Sequence, residues 1–409
     1  MTNTAGIGSG TEPSQLHETA SELGAVLRKA LLCLTAHFPE ASGRPMGLAK
    51  ELGCQKDLSG RVHRALTKDD PLATLYHLPG PSALRDLIER IQKRKRALPS
   101  ELTDARQAVR DFEDLVRTQA GDQSTFKGMI SSRLPEAREK QELAGRQDMF
   151  RGVRALKGVA VKTLVFAEIA TPCEHGNHVN LTGMQGFLGL RRFREDATVR
   201  IAARRFPAVP EGLGVDSKTG KPSSSEIDLS EFSSKSASVI VDRESGKEHG
   251  LTHLLLGQTG IGNRRTSSVF FGERGPCSID ASRFKAEGEK KASVSLIVSE
   301  PAEQLIFDVL VHRDLAPPSV PQPIVTETAE FGPIHGGSPM VDLYRLPSSA
   351  TIEESPMGLA GLRLSSFERH LDVLYRLCEE ARCEPTDLRA FRMSVKFPIY
   401  SAQYHMKFV

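Results

Sequence analysis

The hydrophobic pattern changes period once along the chain, and that change limits which folds are open to it. From Gln15 to about Leu156, apolar residues recur three and four apart; from Val159 onward they gather into short runs. The first spacing lines one face of a helix, and the second lines one or both faces of a strand. The expectation is an α+β multidomain protein. An all-α domain spans 15–156, and a β-rich α+β domain with a mixed or antiparallel sheet spans 157–409. Residues 1–14 are polar and rich in Gly, Ser and Thr, and read as a disordered tail.

Within the helical part the stripe is most regular over Gln15–Ala36, where Leu23, Val26, Leu27, Ala30, Leu31 and Leu34 share a face. A helix starting near Pro81-Ser82 buries Leu84, Leu87, Ile88 and Ile91 and runs out into Lys93-Arg94-Lys95-Arg96. Four basic residues there suit a helix C-terminus and also suit a phosphate backbone. Pro99 and Ser100 open another helix, Phe126, Met129 and Ile130 mark a shorter one, and Pro135 to about Leu156 is helical but polar. The near-heptad spacing of Leu102, Ala105, Val109, Phe112 and Val116 makes a homodimer through helices an expectation.

Between these elements lies PMGLAKELGCQKDLSGRVHRAL, Pro45 to Leu66. Leu48, Ala49 and Leu52 form the face of a first short helix, and Gly53 ends it. The apolar set resumes after a polar turn at Leu58, Val62, Ala65 and Leu66, with Arg61, Arg64, His63 and Ser59 opposite. From Arg44 to Lys68 six basic residues (Arg44, Lys50, Lys56, Arg61, Arg64, Lys68) stand against Glu51 and Asp57, a local +4. This stretch resembles the helix-turn-helix of bacterial transcriptional regulators, whose second helix enters the DNA major groove. The resemblance covers about residues 45–66 only, and departs from the family in having Ser59 where an aliphatic residue usually stands and Gly60 within the second helix. It implies duplex DNA as partner. Arg61 and Arg64 are then the principal contacts, with Gln55, Lys56, Ser59 and His63 beside them. Lys93, Arg94, Lys95 and Arg96 are candidate contacts to the DNA backbone.

Past Val159, GVAVKTLVFAEIATP is continuously apolar enough to be a buried helix or strand. Strands are expected at Ala197–Ala203, Ala237–Val241, Leu251–Leu256, Ser268–Phe271, Ala292–Val298, Leu305–Val311, Arg392–Phe397 and Gln403–Phe408, and a helix at Ser365–Ala381. Residues 207–236 read as a loop or linker.

Three constellations look like chemistry. Gly257 to Arg264 has the glycines of a phosphate loop but lacks the Lys-Ser/Thr pair that loop requires, and a glycine-rich hairpin turn is the simpler reading. Val311-His312-Arg313-Asp314-Leu315 spells a kinase fragment without its metal-binding Asn. Cys173, His175 and His178 offer zinc-preferring ligands, but a structural site wants four and no second paired cluster follows. No metal, cofactor or catalytic residue is therefore expected. The six cysteines contain no CxxC pair and predict no disulfide framework. A net charge of +3 on 105 charged residues (54 plus 51) is nearly balanced and does not imply a polyanion partner for the molecule as a whole. The start lacks a basic segment followed by an apolar run, and no stretch is long and apolar enough for a membrane span, so a cytoplasmic protein is expected. The functional expectation is a DNA-binding transcriptional regulator with a C-terminal ligand- or partner-binding domain. A non-enzymatic scaffold whose helices hold a partner is the alternative, with an enzyme third.

Overall fold

The computed structural model describes residues 13–38, 45–174, 177–205, 226–235, 237–242, 251–257, 260–281, 284, 291–315, 319–328, 332–334, 336 and 338–408. The chain divides into two units, residues 1–142 and 143–409, with separate cores. An α+β, two-domain arrangement is thus what the structure has. The division falls inside a helix, fourteen residues (156 minus 142) before the expected boundary, because the second half of that helix packs on the sheet unit. There Phe150 lies 5.4 Å from the Phe397 ring, and Lys157 ion-pairs with buried Glu300 at 2.7 Å.

The described elements of the first unit are helices: α1 (Pro13–Ala36), α2 (Pro45–Leu52), α3 (Lys56–Leu66), α4 (Pro71–His77), α5 (Pro81–Lys93), α6 (Pro99–Gln119), α7 (Gln123–Ser131) and the start of α8 (Pro135–Lys157). Six of the eight begin with proline, whose missing N–H is no loss in a first turn and whose fixed φ suits one. Pro71 illustrates this. It ends the preceding helix as expected, but it also opens α4, because Asp70 caps the new helix at Leu72 N (2.9 Å). The core gathers Leu27, Leu31 and Leu34 of α1, Val62 of α3, Leu75 of α4, Ile91 of α5, Phe112 of α6 and Phe126 of α7. Val26 and Met129, expected on buried faces, are exposed. At Gly24 a Cβ would sit 2.1 Å from the Pro71 carbonyl oxygen, so only glycine lets α1 approach α4 this closely.

The second unit carries β1 (Val159–Pro172), β2 (His178–Arg192), β3 (Arg200–Arg205), β4 (Glu226–Ile227), β5 (Val239–Asp242), β6 (Leu251–Leu256), β7 (Thr266–Asp280) and β8 (Ser293–Ile297). These are followed by β9 (Ala302–His312), β10 (Gln322–Glu327), β11 (Ile352–Glu354), α9 (His370–Ala381), β12 (Leu388–Lys396) and β13 (Ala402–Lys407). One seven-stranded sheet runs β11-β12-β9-β1-β2-β7-β4, with β1 parallel to β9 and the other pairs antiparallel. Two three-stranded sheets, β10-β13-β8 and β3-β6-β5, supply Tyr404, Val294, Ile201 and Leu254 to the core shared with Leu164, Phe187, Phe307 and Phe391 of the large sheet. The opposite face of the large sheet buries Val165, Ala167, Ile306 and Leu310 against Leu374 and Leu377 of α9. Burial on both faces is why β1 shows no alternation in sequence.

Several expectations need correction. The segment 207–236 is not wholly a linker. Residues 206–225 lie outside the described residues, but Glu226–Ile227 pairs with β7 and Ser230–Phe232 forms a 3-10 turn, because Ile227, Leu229 and Phe232 have an apolar layer to enter. The glycine-rich segment after β6 is not a hairpin turn, since β6 pairs with β3 and β5 while β7 pairs with β2 and β4. Cys173 is disulfide-bonded, against the expectation drawn from cysteine spacing. The tail at 1–14 lies outside the described residues except for Pro13 and Ser14, which begin α1. Among the described residues no helix is long and apolar enough to cross a membrane.

Candidate nucleic-acid interface

The Pro45–Leu66 stretch folds as two helices joined by Gly53-Cys54-Gln55. Gly53 takes φ +60, and Cys54 N donates to Ala49 O at 3.1 Å, closing the end of α2. A three-residue connection containing a left-handed glycine thus joins α2 to α3. A side chain from α5 braces the turn. Arg90 donates through Nη1 to Gly53 O (2.6 Å) and through Nε to Asp86 (2.8 Å).

Along α3 the buried residues are Ser59, Val62 and Ala65. Ser59 is therefore no DNA contact. It is fully buried and donates its hydroxyl to Lys56 O at 3.0 Å, filling the inward position expected to be aliphatic, while Leu58 is half-buried one residue earlier. A serine can take that place because its hydroxyl is satisfied by its own helix. Gln55, Lys56 and Arg64 are exposed, and Arg61 and His63 are half-buried. Of the basic run, Lys93, Arg94, Lys95 and Arg96 are all exposed, but Arg96 is engaged with α2 through Glu51 (3.2 Å) and lies 5.4 Å from the Phe38 ring.

Arg61 points to a place the sequence gives no hint of. Its Nη2 donates to the carbonyl of Leu78, the residue capping α4, at 3.4 Å. Lys127 Nζ, from α7, donates to the same oxygen at 3.1 Å, and Gln123 Nε2 reaches it at 3.5 Å. One carbonyl oxygen thus receives two cations and an amide. Lys127 also lies 5.6 Å from the Tyr76 ring. Its ammonium is pushed down to about 8 by burial first, then by Arg61 and Lys140. His77 is lowered by burial and then by Lys68, Arg64, Lys140 and Lys127. These groups come from α3, α4, the turn after α3, α7 and the start of α8, and they repel one another. Among the described residues none of Arg61, Arg64, Lys68, Lys127 and Lys140 has an ion pair with a carboxylate. The acceptor that Arg61 and Lys127 share is the neutral Leu78 carbonyl.

The neighbouring hollow between α3 and α5, about 300 Å3, is different in kind: Asp57 and Asp86 balance Arg61 and Arg90 around it.

Elsewhere, the structure brings together one acid–base cluster. Arg392 donates to both carboxylate oxygens of Asp308 at 2.7 Å, and His370 Nε2 lies 3.1 Å from Asp308 Oδ2. Asp308 and His370 are fully buried, so the cluster fastens α9 to β9 and β12 and presents no surface to a substrate. Of Cys173, His175 and His178, Cys173 is in a disulfide, His178 stands on β2, and His175 lies outside the described residues. Among the described residues no three His, Cys, Asp or Glu side chains group to hold a metal ion. The His312-Arg313-Asp314 fragment lies at the end of β9 and the turn beyond it.

The chain matches no protein-family model, and comparison with curated proteins finds no relative.

Proposed function

We propose that the protein is a DNA-binding regulator whose first unit grips duplex DNA with α3 and the cations gathered around it, and whose second unit binds a ligand or partner. The observation carrying this reading is the gathering of Arg61, Arg64, Lys68, Lys127 and Lys140, none of them ion-paired with a carboxylate among the described residues. Phosphates are the anions a helix-turn-helix meets, and neutralising them supplies most non-specific affinity. On this reading Arg64, exposed on α3, reads a base edge, while Lys127 and Lys140 hold backbone. Lys93, Arg94 and Lys95, exposed at the end of α5, are further backbone contacts. A palindromic target would require a homodimer, since one helix reads one half-site.

The test is duplex binding by the full chain, followed by fluorescence anisotropy across a salt series. Phosphate contacts by Lys127, Lys140, Lys93, Arg94 and Lys95 predict a log–log salt slope of about −4.5; Lys127→Met should weaken binding and flatten the slope by about 1, and Arg64→Ala should weaken binding by removing a base contact. Arg117→Ala, which removes only an exposed pair with Asp114, should leave both unchanged. Absence of binding at low salt, or binding indifferent to both cluster substitutions, would overturn the proposal.

A further inference from the structure

The end of α9 holds two thiols in an unusual place. Arg382 adopts φ 55, ψ 47; Cys383 N donates to Cys378 O at 3.1 Å and Arg382 N to Glu379 O at 3.2 Å. These two bonds form a Schellman motif, in which the residue after the left-handed position packs on the residue three before the cap. An apolar pair usually fills those positions, and glycine usually takes the left-handed one. Here the pair is Cys383 and Cys378, and an arginine takes the left-handed position. The motif thus brings the two cysteines side by side, and both line one surface hollow.

The two sulfurs differ in setting. Cys378 is almost wholly buried among Leu374, Leu377 and Leu388, whereas Cys383 is half-buried and opens on a surface hollow of about 270 Å3. Cys378, Tyr375, Glu379, Arg382, Glu384 and Pro385 also line that hollow.

We infer that Cys378 and Cys383 form a redox-active dithiol, with Cys383 the sulfur that meets a small peroxide in the hollow and Cys378 the sulfur that resolves it. The hydrogen bond from Cys378 draws Cys383 below the ordinary thiol value, against burial and the charges of Asp387 and Glu384. The same hydrogen bond and burial push Cys378 up. A nucleophile must be reachable and ready to ionise, and Cys383 is favoured over Cys378 on both counts. Its thiolate attacks one oxygen of hydrogen peroxide; the S–O bond forms, the O–O bond breaks, and hydroxide leaves. The Cys378 sulfur then attacks the sulfenic sulfur, the S–S bond forms, and water leaves with the Cys378 proton. Two sulfurs give up two electrons, and the peroxide takes both.

Trypsin reads the result directly, because Arg382 separates the two cysteines. After reduction and removal of the reductant, the full chain is treated with hydrogen peroxide, alkylated, digested and analysed by mass spectrometry. Peptides Leu377–Arg382 and Cys383–Arg389 should appear joined before Cys33 or Cys54 is oxidised. Cys383→Ser should abolish the joined species and leave Cys378 a free thiol. Cys378→Ser should leave Cys383 as a sulfenic acid that dimedone traps. Oxidation of Cys33 or Cys54 as fast as Cys383 would overturn the inference, as would sulfenylation of Cys383 in the unaltered chain without cross-linking.

Discussion

Lys127 holds its charge where burial and two neighbouring cations oppose it, and the consequence is a proton that moves when an anion arrives. Without a ligand its ammonium titrates at about 8 instead of the ordinary 10.5. A phosphate at the cluster restores the ordinary value, so between those two pH values binding takes up a proton. Duplex affinity should therefore fall as pH rises through 8. Lys127→Arg, which stays charged, should bind with an affinity that no longer falls across that window; anisotropy titrations below and above pH 8 read the difference. The stability effect of the free protein has the opposite direction. A depressed lysine favours the folded state above the unfolded value and loses that contribution as pH falls through the folded one. The helical unit should thus gain stability from pH 8 to 10.5.

At the scale of elements, the turn between α2 and α3 depends on one backbone angle. A Cβ on Gly53 would meet nothing within 4 Å, so Gly53→Ala tests the left-handed φ of +60 by itself. The expected cost is about 1 kcal/mol, read as an earlier unfolding midpoint of the helical signal in denaturant. The elements themselves differ in how far the sequence discloses them. Helices announced by a stripe and a proline, such as α5 and α6, begin at Pro81 and Pro99 as their sequences predict. The strand β2 is invisible because Gly183, Gly186 and Gly189 interrupt its apolar residues; at Gly186 a Cβ would strike the Phe270 ring at 2.3 Å, so the interruption is what lets β7 lie alongside. β10 hides among prolines; it pairs with β13 on one side, and on the other Leu346 N donates to Val325 O (2.8 Å) and Glu327 N to Tyr344 O (3.0 Å). Of the cationic cluster, Arg61, Arg64 and Lys68 share one stretch and are legible. Lys127, Lys140 and His77 come from three other elements, and no local pattern links them to α3. The same limit hides Asp308, His370 and Arg392, which only β-pairing and the docking of α9 bring together.

For the whole molecule, two cores predict two cooperative transitions. Asp308→Asn breaks a buried carboxylate–guanidinium pair and should cost the sheet unit about 3–5 kcal/mol. In calorimetry it should move one transition and leave the other in place, and Gly53→Ala should do the reverse; equal shifts of both would mean that the two cores unfold as one. The pairing of β1 with β9 has a further consequence, which concerns synthesis. β1 and β2 lie next to each other in sequence, but the parallel neighbour of β1 begins at Ala302, 110 residues after β2 ends at Arg192. At translation rates of about 5–20 residues per second, the open edge of β1 waits roughly 6–20 s for its partner strand. A nascent chain with so apolar an edge is a substrate for strand addition by other chains. In the cell this protein should need a chaperone that shields β1 until β9 leaves the ribosome.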